Sequence, residues 1–186
     1  MHCKIFSFSR IKFVMDSLQI LKILSRIRAH TVGVFPADQI PRVWSNPTAF
    51  IVNTDDHTKP GMHWVAIYVN KSGDALYFDS FGNPPFVPDH INRLRKNCKR
   101  FRWNTIRLQD ASSDVCGQYC IMFLRYMSSG SSFLKFMDNF SDDLHKNDNI
   151  VRTFVRHKKN ADRDFAGNGG CIVRCLQSCS SKMSLL

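Results

Sequence analysis

The sequence lacks any long uninterrupted apolar run. Basic side chains break the apolar stretches near its N-terminus, at Lys4, Arg10, Lys12, Lys22, Arg26 and Arg28. These stretches therefore match neither a secretory signal nor a membrane span, which needs about 20 apolar residues. The 7 cysteines are odd in number and irregularly spaced, which is not the pattern of a disulfide framework. We expect an intracellular protein, cytoplasmic or nuclear, with reduced thiols and no membrane attachment.

Acidic residues are few. The chain holds 15 of them against 26 lysines and arginines, for a net charge of +11. This excess favours contact with nucleic acid or with acidic proteins, and charge alone does not decide between them. The densest basic segment also holds Phe101 and Trp103, and its basic members are Arg93, Arg95, Lys96, Lys99, Arg100 and Arg102.

Internal repeats and metal-binding motifs are also missing. Cys171, Cys175 and Cys179 recur every four residues, but no histidine stands near them and the spacing fits no common zinc site. We predict no metal. The 186 residues, 12% of them aromatic, are enough for one packed domain. We place it at 15–160, after an N-terminal extension at 1–14 and before a flexible tail at 161–186.

The most informative stretch is a polar loop followed by an apolar run from Cys116 to Met127. Its apolar residues go all round a helix, which predicts a helix buried on every side. The serines and aspartates before Cys116 are typical of a helix start, where the free N–H groups and the helix dipole favour a thiolate. Cys116 is thus either a nucleophile or, as is common for cysteine, a packing residue.

Patterns elsewhere predict an α+β fold. We expect an amphipathic helix from Asp16, helices opened by Asp89, by the serines at 131–132 and by Asn147-Asp148, and a loop over Val32–Pro41. Expected strands cover Ala49–Asn53, His63–Val69, Ala75–Asp79 and Trp103–Leu108, the second and third forming a hairpin.

This hairpin relates His63 to Asp79. If its turn is centred on Lys71 the two residues are directly opposite, and if it is centred on Ser72 they are diagonal neighbours on one face. A loop with an even number of residues would put them on opposite faces. Gln109 enters the loop before Cys116, where an amide could donate to an oxyanion. Each residue also has an ordinary structural interpretation: His63 as a strand residue, Asp79 as a turn residue and Gln109 as a loop polar group.

These blocks resemble those of adenain, the adenovirus cysteine protease, and of the adenain-like proteases of Polinton/Maverick transposons. The matching blocks are His63-Trp64, Tyr77–Gly82, Gln109 and Val115–Cys120, and the resemblance covers about residues 30–158. It implies a papain-like cysteine protease fold, with a mixed sheet packed on a buried helix that carries the nucleophile at its N-terminus. SUMO and other ubiquitin-like-protein proteases share this fold, so the fold does not choose the substrate.

The resemblance implies a cysteine endopeptidase with Cys116 as nucleophile, His63 as base, Asp79 as orienting carboxylate and Gln109 as oxyanion donor. Adenain has Glu where this chain has Asp79. The expected substrates are viral or transposon-encoded precursor proteins. The alternatives are a SUMO-type protease and a catalytically silent relative that binds DNA or protein.

Two accessory features follow from the same resemblance. Adenain is activated by a disulfide-linked peptide, which suggests that role for Cys98, although an incidental thiol is the simpler interpretation. Adenain also uses DNA as a cofactor, which makes phosphate contact by the basic segment an alternative to a merely solvated face. We expect a monomer that requires no cofactor for the chemistry itself.

Overall fold

A computed structural model describes residues 15–24, 27 and 29–166, with side chains to residue 156. Five helices and five strands are defined in this part of the chain. The helices are α1 (Ser17–Leu24), α2 (Pro88–Asn97), α3 (Cys116–Ser128), α4 (Phe133–Met137) and α5 (Leu144–Ala166). The strands are β1 (Thr31–Phe35), β2 (Thr48–Asn53), β3 (Trp64–Val69), β4 (Asp74–Phe78) and β5 (Arg100–Trp103).

The strands form one mixed sheet in the order β1-β2-β3-β4-β5. The three central strands run antiparallel to one another, and each edge strand pairs parallel with its neighbour. All six residues of β2 are buried, as are five of the six in β3. Strands covered on both faces read as continuous apolar runs, which is how the sequence predicted β2 and β3.

The side chains of alternate residues in the central strands pack into two separate hydrophobic cores. Ala49, Ile51 and Ala66 face the larger core, which is built around α3. Phe50, Val65 and Ile67 face the smaller core, which includes Leu94 of α2. The period-2 alternation of strand side chains thus lets one sheet support helices on both faces.

Helix α3 is the centre of the larger core, as its all-round apolar sequence predicted. Nine of its thirteen residues are buried, among them Cys116 at its first position. Phe123 stacks on Phe78 of β4 with ring centroids 4.7 Å apart. The predicted α+β class, with a mixed sheet packed on a buried helix that begins at Cys116, is confirmed.

Two predictions about strands are wrong. The segment Val32–Pro41 is not a loop throughout, because Thr31–Phe35 pairs with β2. The strand predicted at Trp103–Leu108 lies earlier, at Arg100–Trp103. It stops there because the Asn104 side chain accepts a hydrogen bond from the Asp79 N–H (2.9 Å) and donates one to the Asp79 carbonyl (2.6 Å), which takes the place of backbone pairing.

Three predicted helix caps are also wrong. No side chain caps α3, which follows Val115, or α2, which begins at Pro88 after Val87. Helix α5 begins at Leu144, so Asn147 and Asp148 lie within it and are buried. Ser132, in contrast, caps α4 by accepting a hydrogen bond from the Lys135 N–H, as the sequence predicted.

Helix α5 extends to Ala166, past the domain limit that we predicted at residue 160. The rest of the predicted tail, with its three cysteines, lies outside the described residues, as does the predicted extension at 1–14. The domain limits stay a prediction. None of the helices in the described part of the chain is long and apolar enough to cross a membrane.

Candidate active site

His63 and Asp79 form a buried ion pair at one end of the hairpin. Ala66 pairs with Phe78 and Ile67 with Tyr77, a register centred on Ser72. Of the three arrangements open from the sequence, this is the diagonal one. His63 Nε2 lies 2.8 Å from Asp79 Oδ1, and the two side chains are 14% and 0% exposed.

Five further hydrogen bonds hold Asp79, one of them from the Gly82 N–H to its carbonyl at 2.8 Å. Its Oδ1 also accepts from the Phe81 N–H at 2.8 Å, and its Oδ2 accepts from the Asn83 amide at 3.2 Å. The Asn104 amide bonds both backbone groups of Asp79, as described above. The carboxylate is therefore fixed in direction and does not merely terminate a turn. Neither Asn83 nor Asn104 was predicted from the sequence. Each lies just after a recognisable segment, Asn83 after the block Tyr77–Gly82 and Asn104 after β5, and that position was a signal that could have indicated them.

Cys116 lies at the start of α3 and is 6% exposed. Because no side chain caps the helix, its first N–H groups remain available to an anion. One turn later, the buried Cys120 thiol donates to the Trp64 carbonyl at 3.3 Å, and burial raises its pKa. Cys120 is a packing residue, whereas Cys116 contacts the histidine.

His63 connects the carboxylate to the thiol. Since Nε2 bonds Asp79, Nδ1 is the ring nitrogen left to interact with the Cys116 side chain. Burial disfavours the imidazolium, but the hydrogen bonds and charges of Asp79 and Cys116 outweigh it and raise the pKa of His63 to about 9. The imidazole therefore carries a proton at neutral pH, as a thiolate–imidazolium pair requires.

Gln109 is buried beside the nucleophile loop and held from both ends of its amide. Ser80 Oγ donates to its Oε1 at 2.6 Å, and its Nε2 donates to the Ser113 carbonyl at 3.0 Å. Among the described residues Ser113 is the one acceptor of Nε2, so its second hydrogen stays available to a ligand. The loop is anchored from α3 and α5, because Tyr119 and Asn147 both donate to the Leu108 carbonyl.

The remaining predicted residues lie elsewhere. Cys98 is a half-buried thiol at the end of α2, packed on the smaller core, and burial raises its pKa to about 11. Thiolate is scarce at such a site, and a disulfide to an activating peptide stays a prediction. Within the described residues, no cluster of His, Cys, Asp or Glu could hold a metal ion.

The basic residues lie on α2, β5 and the turn between them. Arg93 is half-buried and the other five are exposed: Arg95, Lys96, Lys99, Arg100 and Arg102. Arg100 already forms a bidentate ion pair with Asp74, in which its Nε and Nη2 donate to the two carboxylate oxygens at 2.8 and 2.9 Å. The side-chain bond from Arg100, helped by the charges of Lys99 and Arg102, lowers the pKa of Asp74. The predicted basic residues therefore lie on connected elements, but Asp74 neutralises the charge of one of them, Arg100.

A thiol at a helix start, an imidazole that interacts with it and a buried carboxylate bonded to the imidazole are the arrangement of a cysteine peptidase site. The sequence is similar to proteins of that class. The cysteine protease S273R of African swine fever virus (a Malawi tick isolate) is 31% identical over 104 residues, which are 50% of this chain and 38% of that protein. In other isolates S273R is named a SUMO-1 cysteine protease.

A mimivirus protein gives a similar match. R355 of Acanthamoeba polyphaga mimivirus, which carries a provisional name as a thiol protease, is 32% identical over 104 residues, 50% of this chain and 34% of that protein. The crystal structure of the African swine fever virus protease matches with 26% identity and a TM-score of 0.41, over 56% of this chain and 41% of the other. No protein-family model matches the chain.

The chain thus spans less than half the length of these curated relatives. Its relationship is to viral cysteine proteases, and the resemblance found in the sequence is confirmed at that level.

Proposed function

We propose that this protein is a cysteine endopeptidase that hydrolyses peptide bonds through Cys116, His63 and Asp79, with Gln109 as oxyanion donor. The observation that carries the proposal is that His63, whose Nε2 lies 2.8 Å from the fully buried carboxylate of Asp79, also interacts with the Cys116 side chain at the start of α3. Similarity to proteins named as cysteine proteases supports the same class.

In the acylation step, the Cys116 thiolate attacks the carbonyl carbon of the scissile bond, and the carbonyl oxygen becomes an oxyanion. The free N–H groups at the start of α3 and the second hydrogen of Gln109 Nε2 would donate to it. As the tetrahedral intermediate collapses, the C–N bond breaks and the His63 imidazolium gives its proton to the leaving amine. A thioester on Cys116 remains.

In the deacylation step, neutral His63 takes a proton from water while the water oxygen attacks the thioester carbonyl. Collapse of the second intermediate breaks the C–S bond, releases the carboxylic acid and restores the thiolate–imidazolium pair. The Asp79 carboxylate orients the ring through Nε2, a role supported by its complete burial and by its three hydrogen bonds, to His63, Phe81 and Asn83.

Labelling by a peptide electrophile tests the nucleophile. Cys116→Ala should abolish modification by a peptidyl vinyl sulfone, and Cys98→Ala, the matched control, should leave it unchanged. Cys98 is suitable because burial raises its pKa to about 11. Labelling that survives Cys116→Ala, measured by intact mass, would overturn the assignment.

The substrates that we propose are precursor proteins of a virus or a transposon, acted on by a single catalytic domain at about 15–160. The alternative is a ubiquitin-like-protein protease, and one observation favours it: related S273R proteins carry the name SUMO-1 cysteine protease. Incubation with a panel of ubiquitin-like fusions and with a proteome-derived peptide library separates the two. Cleavage confined to one folded modifier would contradict the precursor proposal.

DNA binding by the basic residues of α2 and β5 is a second proposal, tied to the alternative of a relative that acts by binding. Five of the six side chains are exposed, and Asp74 neutralises Arg100. If they contact phosphates, affinity for a random duplex should fall steeply with salt. Charge reversal at Lys96 and Arg102 should weaken binding more than reversal at Arg100, because Arg100 is already paired. An unchanged affinity would contradict the proposal.

A further inference from the structure

Phe81 lies against the proposed catalytic histidine on the side of the Asp79 hydrogen bond. Its ring centroid is 5.0 Å from that of His63, and the two rings are tilted by 31°. Its backbone N–H donates to Asp79 Oδ1 at 2.8 Å, the oxygen that His63 Nε2 also contacts. Phe81 therefore touches both members of the pair, with its side chain on one and its backbone on the other.

The backbone around Phe81 is rigidly placed. The Gly82 N–H donates to the Asp79 carbonyl at 2.8 Å, which closes a turn over Phe81. Gly82 has a φ of +77°, and a Cβ there would lie 2.9 Å from the carbonyl carbon of Ile106. Only glycine fits at this close approach. The Phe81 ring is consequently held against His63 by the packing of the turn on the 105–107 segment.

The position of the ring has two electrostatic consequences. It covers one side of a pair that is only 14% exposed at the histidine, which disfavours the imidazolium by desolvation but leaves its attraction to Asp79 less screened by water. Its π-face also attracts a cation, which favours the protonated ring of His63 over the neutral one.

Phe81 also contacts the segment that leads to Gln109. Arg107 Cζ lies 5.7 Å from the centroid of the Phe81 ring, and Arg107 Nε donates to the Gln109 carbonyl at 2.9 Å. The ring therefore contacts both the proposed base and the arginine that bonds the backbone of the proposed oxyanion donor. The titratable groups that act on His63 are Asp79 after β4 and Cys116 on α3, and the Arg107 guanidinium lies over the Phe81 ring.

We propose that Phe81 is a positioning residue, whose ring holds the His63 imidazole in the one orientation that directs Nε2 to Asp79 and Nδ1 to Cys116. The proposal deepens the proposed function and rests on it for its catalytic consequence. Phe81 itself touches no reacting atom. Its effect is on the fraction of time that His63 is correctly oriented and protonated.

The test compares Phe81→Leu with Phe81→Tyr and uses Phe86→Leu as the matched control. Phe86 lies in the same connection before α2 and is 59% exposed. In Phe81→Leu we expect kcat to fall roughly threefold to tenfold with KM little changed. The His63 titration midpoint, followed by NMR of labelled imidazole and assigned with His63→Gln, should fall by about half a unit. Phe81→Tyr, which keeps the ring, should restore both values, and Phe86→Leu should change neither.

The NMR readout does not depend on turnover. A wild-type protein that cleaves no peptide would overturn the proposed function, while the titration of His63 would still decide what Phe81 does to the ring. An unchanged midpoint in Phe81→Leu would overturn the proposal, as would an equal shift in Phe81→Tyr. Should Phe81→Leu fail to fold by circular dichroism, Phe81→Met replaces it with the same expectations.

Discussion

Two histidines of this protein are both removed from water, and the fold gives them opposite protonation states. His63 lies at the end of the sheet beside α3, where the charges and hydrogen bonds of Asp79 and Cys116 overcome burial and raise its pKa to about 9. His90 lies on α2, where burial, only partly offset by its bond to the Asn53 carbonyl, lowers its pKa to about 4. Burial alone therefore does not predict the charge of a histidine, and an ionisable partner decides it.

The hydrogen-bond partners of His90 are neutral and do not reverse the effect of burial on its pKa. Its Nε2 donates to the Asn53 carbonyl at 3.0 Å, and its Nδ1 lies 3.3 Å from the Tyr77 hydroxyl, which donates to it. Both ring nitrogens are thus satisfied by the neutral form, and the charge of the neighbouring Asp89 does not outweigh burial. His90 connects α2 to β2 and β4, whereas His63 connects an acid to a thiol. One is suited to structure and the other to proton transfer.

The largest expected effect separates the two residues by function. His63→Gln should lower kcat/KM by about a thousandfold, because it removes the group that takes and returns the proton. His90→Gln should change kcat/KM little but lower the free energy of unfolding by about 2 kcal/mol, since the Tyr77 hydroxyl loses its buried partner. Peptidase assays and urea denaturation of both variants measure this, and a large loss of turnover in His90→Gln would break the comparison.

Substitution of Gln109 tests whether the rate of catalysis can be lowered without changing its pH dependence. Gln109→Ala should lower kcat by about a hundredfold, as the loss of one oxyanion donor does elsewhere. It should leave the alkaline limit of activity in place, because the amide contacts neither ring nitrogen of His63. The readout is the pH profile of kcat beside that of the wild type. A limit that moves with the rate would mean that Gln109 acts through His63.

The loss of folding stability at acid pH is expected to come from His90. Its folded pKa of about 4 lies below the ordinary value of 6.5, so the stability it contributes is present above pH 6.5 and is lost as pH falls through 4. The loss amounts to about 3 kcal/mol when complete. Unfolding free energies measured between pH 7 and pH 4 should decline less in His90→Gln than in the wild type. Parallel curves would show that His90 is not the group responsible.

The smallest expected effect is a shift in the alkaline limit of activity, which His63 sets. Activity that needs the imidazolium should decline as pH rises through about 9. Asp79→Asn removes the charge that favours the proton, so this limit should fall by at least about one unit. Asn104→Ala, which frees only the backbone of Asp79, should move it less. A limit that stays near 9 in Asp79→Asn, with the fold intact, would reduce Asp79 to a turn residue.

Much of the site was predictable because its signals are local. The apolar run after Cys116 predicted a buried helix and its start, and the runs around Ile51 and Ala66 predicted the central strands. The edges were less predictable. Strand β1 contains Gly33 and Pro36 follows it, a turn-like composition that pairing with β2 overrides. Strand β5 ends early because the Asn104 side chain competes for the backbone of Asp79.

The predicted helix caps were wrong for a similar reason. Asp110 and Ser112 have the composition of a cap, but the Asp110 carboxylate accepts the Ser112 N–H and hydroxyl within the loop. Asn147 and Asp148 also have that composition, and both are used instead to hold buried groups: Asn147 bonds the Leu108 carbonyl and Asp148 the Tyr119 hydroxyl. Polar side chains satisfy whichever backbone group is nearest in space, which a linear pattern does not specify.

The sequence by itself determined the class of side chains at the site and their order: a histidine before one strand, an aspartate after the next and a cysteine at a helix start. It left open three hairpin registers, of which only the tertiary structure selected the one centred on Ser72. The sequence singled out His63 through the hairpin and the family resemblance, but it indicated no partner for His90. Their pKa values differ because folding brings the Asp79 carboxylate to His63, whereas burial lowers the pKa of His90 and its bond to the Asn53 carbonyl only partly offsets that effect.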